Sequence, residues 1–313
     1  MGPYSFLQYA RLKFLVTLLR LFVRFAASSA LNRDKKLAST FNVRRERISI
    51  PSRDSNRSIK ADVYSTSELS DVKQPVLVNW HGSGFFSSLL GIDELYCSQL
   101  ARDTGITIID ADYRKGPETV SPGPLNDAAD VLNWVTSQDR FDKARVGVSG
   151  FSAGGTIALA MASSPNKDQS PIKIPVAVAI AVYPVTDLSI APEAKQVPKP
   201  KRPSPPFMQH LINDCYAPDK ALRKDPRISP SRADPSLFPQ TVAIVTCDGD
   251  IFEPEASALA SKLENGERRV IHRVLQDVHH GFDKGCREGS SDSDRRTEAY
   301  ALIVEALRES FGL

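Results

Sequence analysis

At 313 residues the chain has room for one large domain or two small ones, and its 41% hydrophobic and 25% charged content is that of an ordinary globular protein. That balance excludes disordered, collagen-like and disulfide-scaffold classes. Lys plus Arg number 40 against 37 Asp plus Glu, a formal charge of +3, which is far from the concentrated basic footprint of a nucleic-acid binder; no nucleic-acid partner is expected.

Residues 4–27 are strongly apolar but interrupted by Arg11, Lys13, Arg20 and Arg24. The central run without charge, 14–19, is too short for a membrane span, which needs about 20 apolar residues, and for a signal-peptide core of roughly 7–15. Lys13, Thr17, Arg20 and Arg24 stand at i, i+4, i+7 and i+11, a polar stripe along an otherwise apolar helix. Two readings follow. The helix packs on the body of the protein or caps a pocket, or it makes peripheral membrane contact through residues 4–27 with the basic stripe toward lipid headgroups. Cys97, Cys215, Cys247 and Cys286 show no CxxC pairing, so free thiols and a reducing, cytoplasmic setting are expected.

Farther on, 44–50 and 59–64 read as an antiparallel opening pair. Apolar runs at 76–80, 106–111, 146–149, 176–182, 242–246 and 270–275 read as strands, and helical patterns cover 94–104, 126–137, 153–162, 255–265 and 296–310. This alternation predicts the α/β class, a mostly parallel sheet with helices on both faces. Residues 186–229 break the rhythm, since a βα loop usually takes only a few residues. Within that stretch, 192–206 holds six prolines with Lys195, Lys199, Lys201 and Arg202, and a candidate helix follows at 207–215. It reads as an insertion over the carboxyl edge of the sheet.

Gly150-Phe151-Ser152-Ala153-Gly154 fits G-x-S-x-G. It stands between a strand and a helix, where a sharp turn would lift the serine hydroxyl above the sheet. A serine hydroxyl needs a base to become a nucleophile. Of the five histidines, His272 falls inside a strand and His210 inside the insertion, whereas His279 and His280 follow the last strand in a loop. His280 is favoured, because Gly281 lets its imidazole protrude from a tight turn. The base needs an acid to orient it, and Asp248 and Asp250 both close the strand at 242–246. His81-Gly82-Ser83-Gly84 follows another strand, and its N–H groups, with that of Ala153, suit an oxyanion hole.

These residues resemble the hormone-sensitive-lipase-like family of α/β-hydrolases from about Val76 onward. His81-Gly82-Ser83-Gly84 is similar to the family's His-Gly-Gly-Gly, with serine in the third place. Asp112-Tyr113-Arg114-Lys115-Gly116-Pro117-Glu118 resembles Asp-Tyr-Arg-Leu-Ala-Pro-Glu, and Asp250-Ile251-Phe252-Glu253-Pro254-Glu255 resembles Asp-Pro-Leu-Arg-Asp-Glu. Gly150 and Gly154 flank the nucleophile motif, and His280-Gly281-Phe282 matches the histidine motif. The resemblance implies a triad of Ser152, Asp250 and His280, in the chain order of an α/β-hydrolase. It also implies an oxyanion hole from Ser83, Gly84 and Ala153, with motif support from His81 and Gly82. It further implies a cap built from residues 1–45 and 186–229 over a core of 46–185 and 230–313. The implied activity is hydrolysis of small to medium acyl esters through an acyl-enzyme, without metal or organic cofactor. A lactone, lactam or amide hydrolase is the alternative within the same chemistry. Outside catalysis stand an inactive small-molecule receptor, disfavoured because plant hormone receptors resembling this family lack the histidine present at 280, and a membrane-associated scaffold.

Overall fold

A computed structural model of the chain describes residues 3–66, 72–164 and 175–313. Among these, eight strands form one sheet: β1 (Arg44–Pro51), β2 (Ser58–Ser65), β3 (Gln74–Trp80), β4 (Thr107–Ala111), β5 (Phe141–Phe151), β6 (Val178–Val182), β7 (Thr241–Cys247) and β8 (Arg269–Leu275). Their spatial order is β1-β2-β4-β3-β5-β6-β7-β8. The β1–β2 and β2–β4 pairs are antiparallel and every other pair is parallel.

Residue alternation assigns the two faces of this sheet. Val76, Val78 and Trp80 of β3 join Leu125, Leu132 and Ile157 in the apolar cluster under α3 (Gly123–Ser137) and α4 (Ala153–Ala162). Leu77 between them points the other way, into the cluster of α2 (Glu94–Thr104) and α7 (Ser291–Phe311). With both faces covered, β3, β6 and β7 are buried almost throughout, whereas β1 at the edge is mostly exposed. All of α4 is buried; its alanines and glycines allow a close approach to the sheet.

Several elements run beyond their sequence-based bounds. The helix expected at 126–137 starts at Gly123, with Pro124 in its first turn, where a missing N–H costs nothing. The strand expected at 146–149 is the end of the longer β5, whose pairing with β3 shifts register between Gln74 and Val76.

The N-terminal segment is one long helix, α1 (Phe6–Ala38), opened by a capping box between Ser5 and Gln8. Two cations of its polar stripe bond the body of the protein. Arg20 donates to the Phe86 carbonyl (2.7 Å), the Gly116 carbonyl (2.8 Å) and Glu118 (2.6 Å), and Lys13 also pairs with Glu118. Among the described residues, Arg24 alone of the stripe's cations is exposed without such a partner. The basic stripe therefore bonds the body at Lys13 and Arg20 and stays outward at Arg24.

In 186–229, α5 (Pro206–Tyr216) is the one α-helix among the described residues, flanked by short 3₁₀ turns. Lys195 is not a surface charge. Its ammonium is buried, 2.6 Å from Glu255 on α6 (Glu253–Leu263), and it donates to the Asp187 carbonyl (2.9 Å).

Candidate active site

Ser152 sits between β5 and α4 with φ 50° and ψ −119°, a strained conformation for a residue bearing a side chain. The turn exists because the residues two positions away on either side, Gly150 and Gly154, lack Cβ atoms. A Cβ at Gly154 would overlap the Trp80 carbonyl, and one at Gly150 would overlap the backbone of Gly154. The Ser152 N–H donates to the Val182 carbonyl (2.9 Å), fixing the turn to β6.

His280 Nε2 lies 2.8 Å from Ser152 Oγ, and His280 Nδ1 lies 2.6 Å from Asp250 Oδ2. A neutral ring protonated at Nδ1 donates to Asp250 and accepts the serine proton at Nε2. Asp250 is buried, and its other oxygen accepts the Phe252 N–H (3.1 Å). Burial disfavours the imidazolium, but the Asp250 charge and its hydrogen bond outweigh this and raise the His280 pKa. Tyr183 and Phe252 flank the ring at 4.7 and 5.5 Å between centroids.

The rival candidates lie elsewhere. Asp248 accepts the N–H groups of Asp277 (2.8 Å) and Val278 (3.3 Å) and so braces the loop that carries His280. His279 turns away to Arg202 (2.9 Å), His210 meets Glu193 (2.7 Å), and His272 meets Ser257 (3.0 Å).

The loop from His81 to Gly84 leans on the serine turn: a Cβ at Gly82 would touch the Phe151 carbonyl and Ser152 Cβ. Positive φ falls at Gly84 (55°); Ser83 needs no such angle, so serine in the third place carries no backbone penalty there. Its hydroxyl accepts the Phe85 N–H (3.0 Å) and bonds the Tyr113 hydroxyl (2.6 Å), which donates to the His81 carbonyl (2.9 Å). His81 itself is buried, with Nε2 3.2 Å from Asp112. Asp112 is held well below the usual carboxylate range; burial opposes this, but His81 and Lys115 prevail. Among the described residues, the N–H groups of Ser83, Gly84 and Ala153 have no protein acceptor, and they border the same pocket as Ser152.

That pocket, about 320 Å³, is walled by Phe85, Phe86, Leu89, Ile92, Val185 and Ile212, with His280 and Ser152 at its floor. Sequence reasoning missed the polar layer beneath it. Lys284 lies 2.6 Å from Asp93 and 2.8 Å from Asp283, and Asp283 accepts from Tyr183 (2.5 Å) and Tyr300 (2.8 Å). Despite burial, Lys284 and the two tyrosines hold the Asp283 carboxyl below its ordinary value. The available signal was the charged pair directly after His280-Gly281-Phe282. No group of three or more His, Cys, Asp or Glu side chains suited to a metal ion occurs among the described residues.

A mostly parallel sheet with a strained serine turn at the end of a central strand defines an α/β-hydrolase. Residues 77–284 match the family described as alpha/beta hydrolase fold. The chain belongs to that family, in its hormone-sensitive-lipase-like branch. It is 27% identical over 241 residues to ethyl acetate hydrolase of Pseudomonas putida, covering 74% of this chain and 72% of that protein. Arylacetamide deacetylase of Oryctolagus cuniculus is 25% identical over 287 residues, 70% and 71% of the two chains. The solved hyperthermophilic esterase of Pyrobaculum calidifontis superposes with a TM-score of 0.76 at 23% identity, over 98% of this chain and 99% of that one, and so shares the fold.

Proposed function

We propose that this hydrolase of the carboxylesterase type cleaves small to medium acyl esters through an acyl-enzyme on Ser152. The observation that carries the reading is the unbroken hydrogen-bond chain Ser152–His280–Asp250 at the floor of an apolar pocket. Ser152 Oγ attacks the ester carbonyl as His280 Nε2 takes its proton. The N–H groups of Ser83, Gly84 and Ala153 hold the oxyanion, each such donor being worth about 3–4 kcal/mol. His280 then protonates the leaving alcohol, and water activated by the same imidazole releases the acid. The expected two-piece cap of 1–45 and 186–229 over a core of 46–185 and 230–313 is kept with its first boundary moved to 43, because Arg44 and Arg45 open β1 of the sheet. The apolar cluster of Val16 with Phe86 and Cys215, backed by Leu12, Leu211 and Ile212, supports that division by joining α1 to α5.

The pocket volume suits short chains, as does the name of the Pseudomonas relative. The test is turnover of p-nitrophenyl esters of increasing acyl length by the purified protein, beside a lactone, a lactam and an aryl amide. The expected result is a maximum at short to medium esters that is lost in Ser152→Ala, with fluorophosphonate labelling lost in parallel. Full activity in Ser152→Ala would remove the nucleophile assignment. Turnover of the amide or lactam alone would replace the ester reading, and labelling without turnover of any substrate would favour a receptor.

A further inference from the structure

Helix α1 has two apolar faces. One packs on the body: Val16, flanked by Leu12, Leu19 and Val23, meets Phe86, Cys215, Leu211 and Ile212. The other consists of Leu7, Phe14, Leu18, Leu21, Phe22 and Phe25, which are 50 to 82% exposed. At 100° per residue these six fall within an arc of about 100°. Isolated exposed apolar side chains are ordinary, but a row of Leu and Phe, with Arg11 set within the same arc, marks an interaction surface.

Charge says what that surface meets. The first 33 residues hold Arg11, Lys13, Arg20, Arg24 and Arg33 and no acid. Lys13 and Arg20 are taken up by Glu118, and Arg33 donates to the Gly285 carbonyl (2.8 Å). Arg11 and Arg24 are exposed and have no ion pair among the described residues. We propose that the outer face of α1 docks lengthwise on an anionic lipid surface, its Leu and Phe side chains at the acyl boundary and Arg11 and Arg24 against headgroup phosphates.

A second copy fits this face poorly. Pairing two such helices face to face brings their arginines together, with no acid before Asp34 on either chain to neutralise them. A lipid surface supplies the missing negative charge. The bonds from Lys13, Arg20, Arg33 and Asp34 to the body tie α1 down along its length, so the helix lies on the surface rather than crossing it. Val23, on the inner flank of α1, lines the pocket above Ser152; docking sets that pocket beside the lipid.

The test is flotation of the full chain with vesicles of phosphatidylcholine alone and of phosphatidylcholine containing about one-third phosphatidylglycerol. Binding is read without turnover, so its outcome is independent of the ester reading. The wild type is expected to float with the anionic vesicles and to release as ionic strength rises. Phe14→Ser/Phe22→Ser/Phe25→Ser is expected to stay at the bottom, and Arg11→Glu/Arg24→Glu to bind roughly tenfold more weakly or worse. Both variants alter exposed side chains and are expected to keep the wild-type melting temperature, which separates lost docking from misfolding. The proposal is overturned if the wild type ignores anionic vesicles or if the triple variant floats as well as the wild type. It is also overturned if light scattering shows a dimer that the triple variant dissolves, which would give the face to a second copy.

Discussion

Asp250→Asn exchanges one oxygen for nitrogen at a position almost closed to solvent. The asparagine carbonyl can keep the Phe252 N–H that Asp250 accepts at 3.1 Å, which aims the new NH2 at His280 Nδ1, where the carboxylate stood at 2.6 Å. Two N–H groups cannot face each other there, so the ring proton moves to Nε2. Nε2 then has no lone pair for Ser152, 2.8 Å away. The expected loss in kcat is on the order of 10⁴, about 5.5 kcal/mol, with little change in melting temperature. The pH profile moves as well. Burial lowers the His280 pKa while the Asp250 charge and hydrogen bond raise it above its ordinary value. Catalysis needs the neutral ring, so wild-type kcat/KM rises with pH through that raised pKa. Without the carboxylate, burial is opposed only by the charge of Asp283, and the acid limb shifts to lower pH. Initial rates on p-nitrophenyl acetate over about pH 5 to 9 for the wild type, Asp250→Asn and Asp248→Asn decide the matter. Asp248→Asn keeps an acceptor for the Asp277 and Val278 N–H groups and is expected to stay near wild type. The reasoning fails if Asp250→Asn remains within tenfold of wild type with an unmoved limb, or if Asp248→Asn is the more damaged.

Lys195→Met is expected to cost about 3–5 kcal/mol by stranding the buried Glu255 carboxylate, and Lys195→Met/Glu255→Gln to recover much of it; thermal unfolding of both variants checks this, and a neutral single substitution would count against it. Ser83→Ala removes the acceptor of the Phe85 N–H and the tie to Tyr113, so a loss of about 1–3 kcal/mol in stability is expected. If the tie also aims the Gly84 N–H, kcat falls roughly tenfold with KM little changed, because small misplacements at a reacting centre are costly; an unchanged kcat would limit Ser83 to a structural role.

The fold was legible in the sequence because a doubly covered parallel sheet writes itself locally. Runs of Val and Ile such as those in β6 and β7 bury every residue, and the helices between them show the helical repeat. The serine turn was legible for a related reason: close approach to Trp80 and to the turn itself admits only glycine at 154 and 150, so steric demand appears directly as residue type.

Three features depended on contacts distant in sequence. The choice between Asp248 and Asp250 turns on which carboxylate points at a loop 30 residues on, and two residues of spacing carry no sign of that. Lys195 reads as one more charge in a proline-rich stretch, yet it folds inward because the buried Glu255 carboxylate waits there, held by the Thr186 and Asp187 N–H groups and with no other cation beside it among the described residues. Helix α1 is the clearest case. Its periodicity shows a polar stripe between apolar faces, but periodicity is symmetric about the helix axis and cannot say which face meets the protein. Glu118 and the carbonyls of Phe86 and Gly116 draw Lys13 and Arg20 inward, and that pull leaves a row of leucines and phenylalanines facing outward.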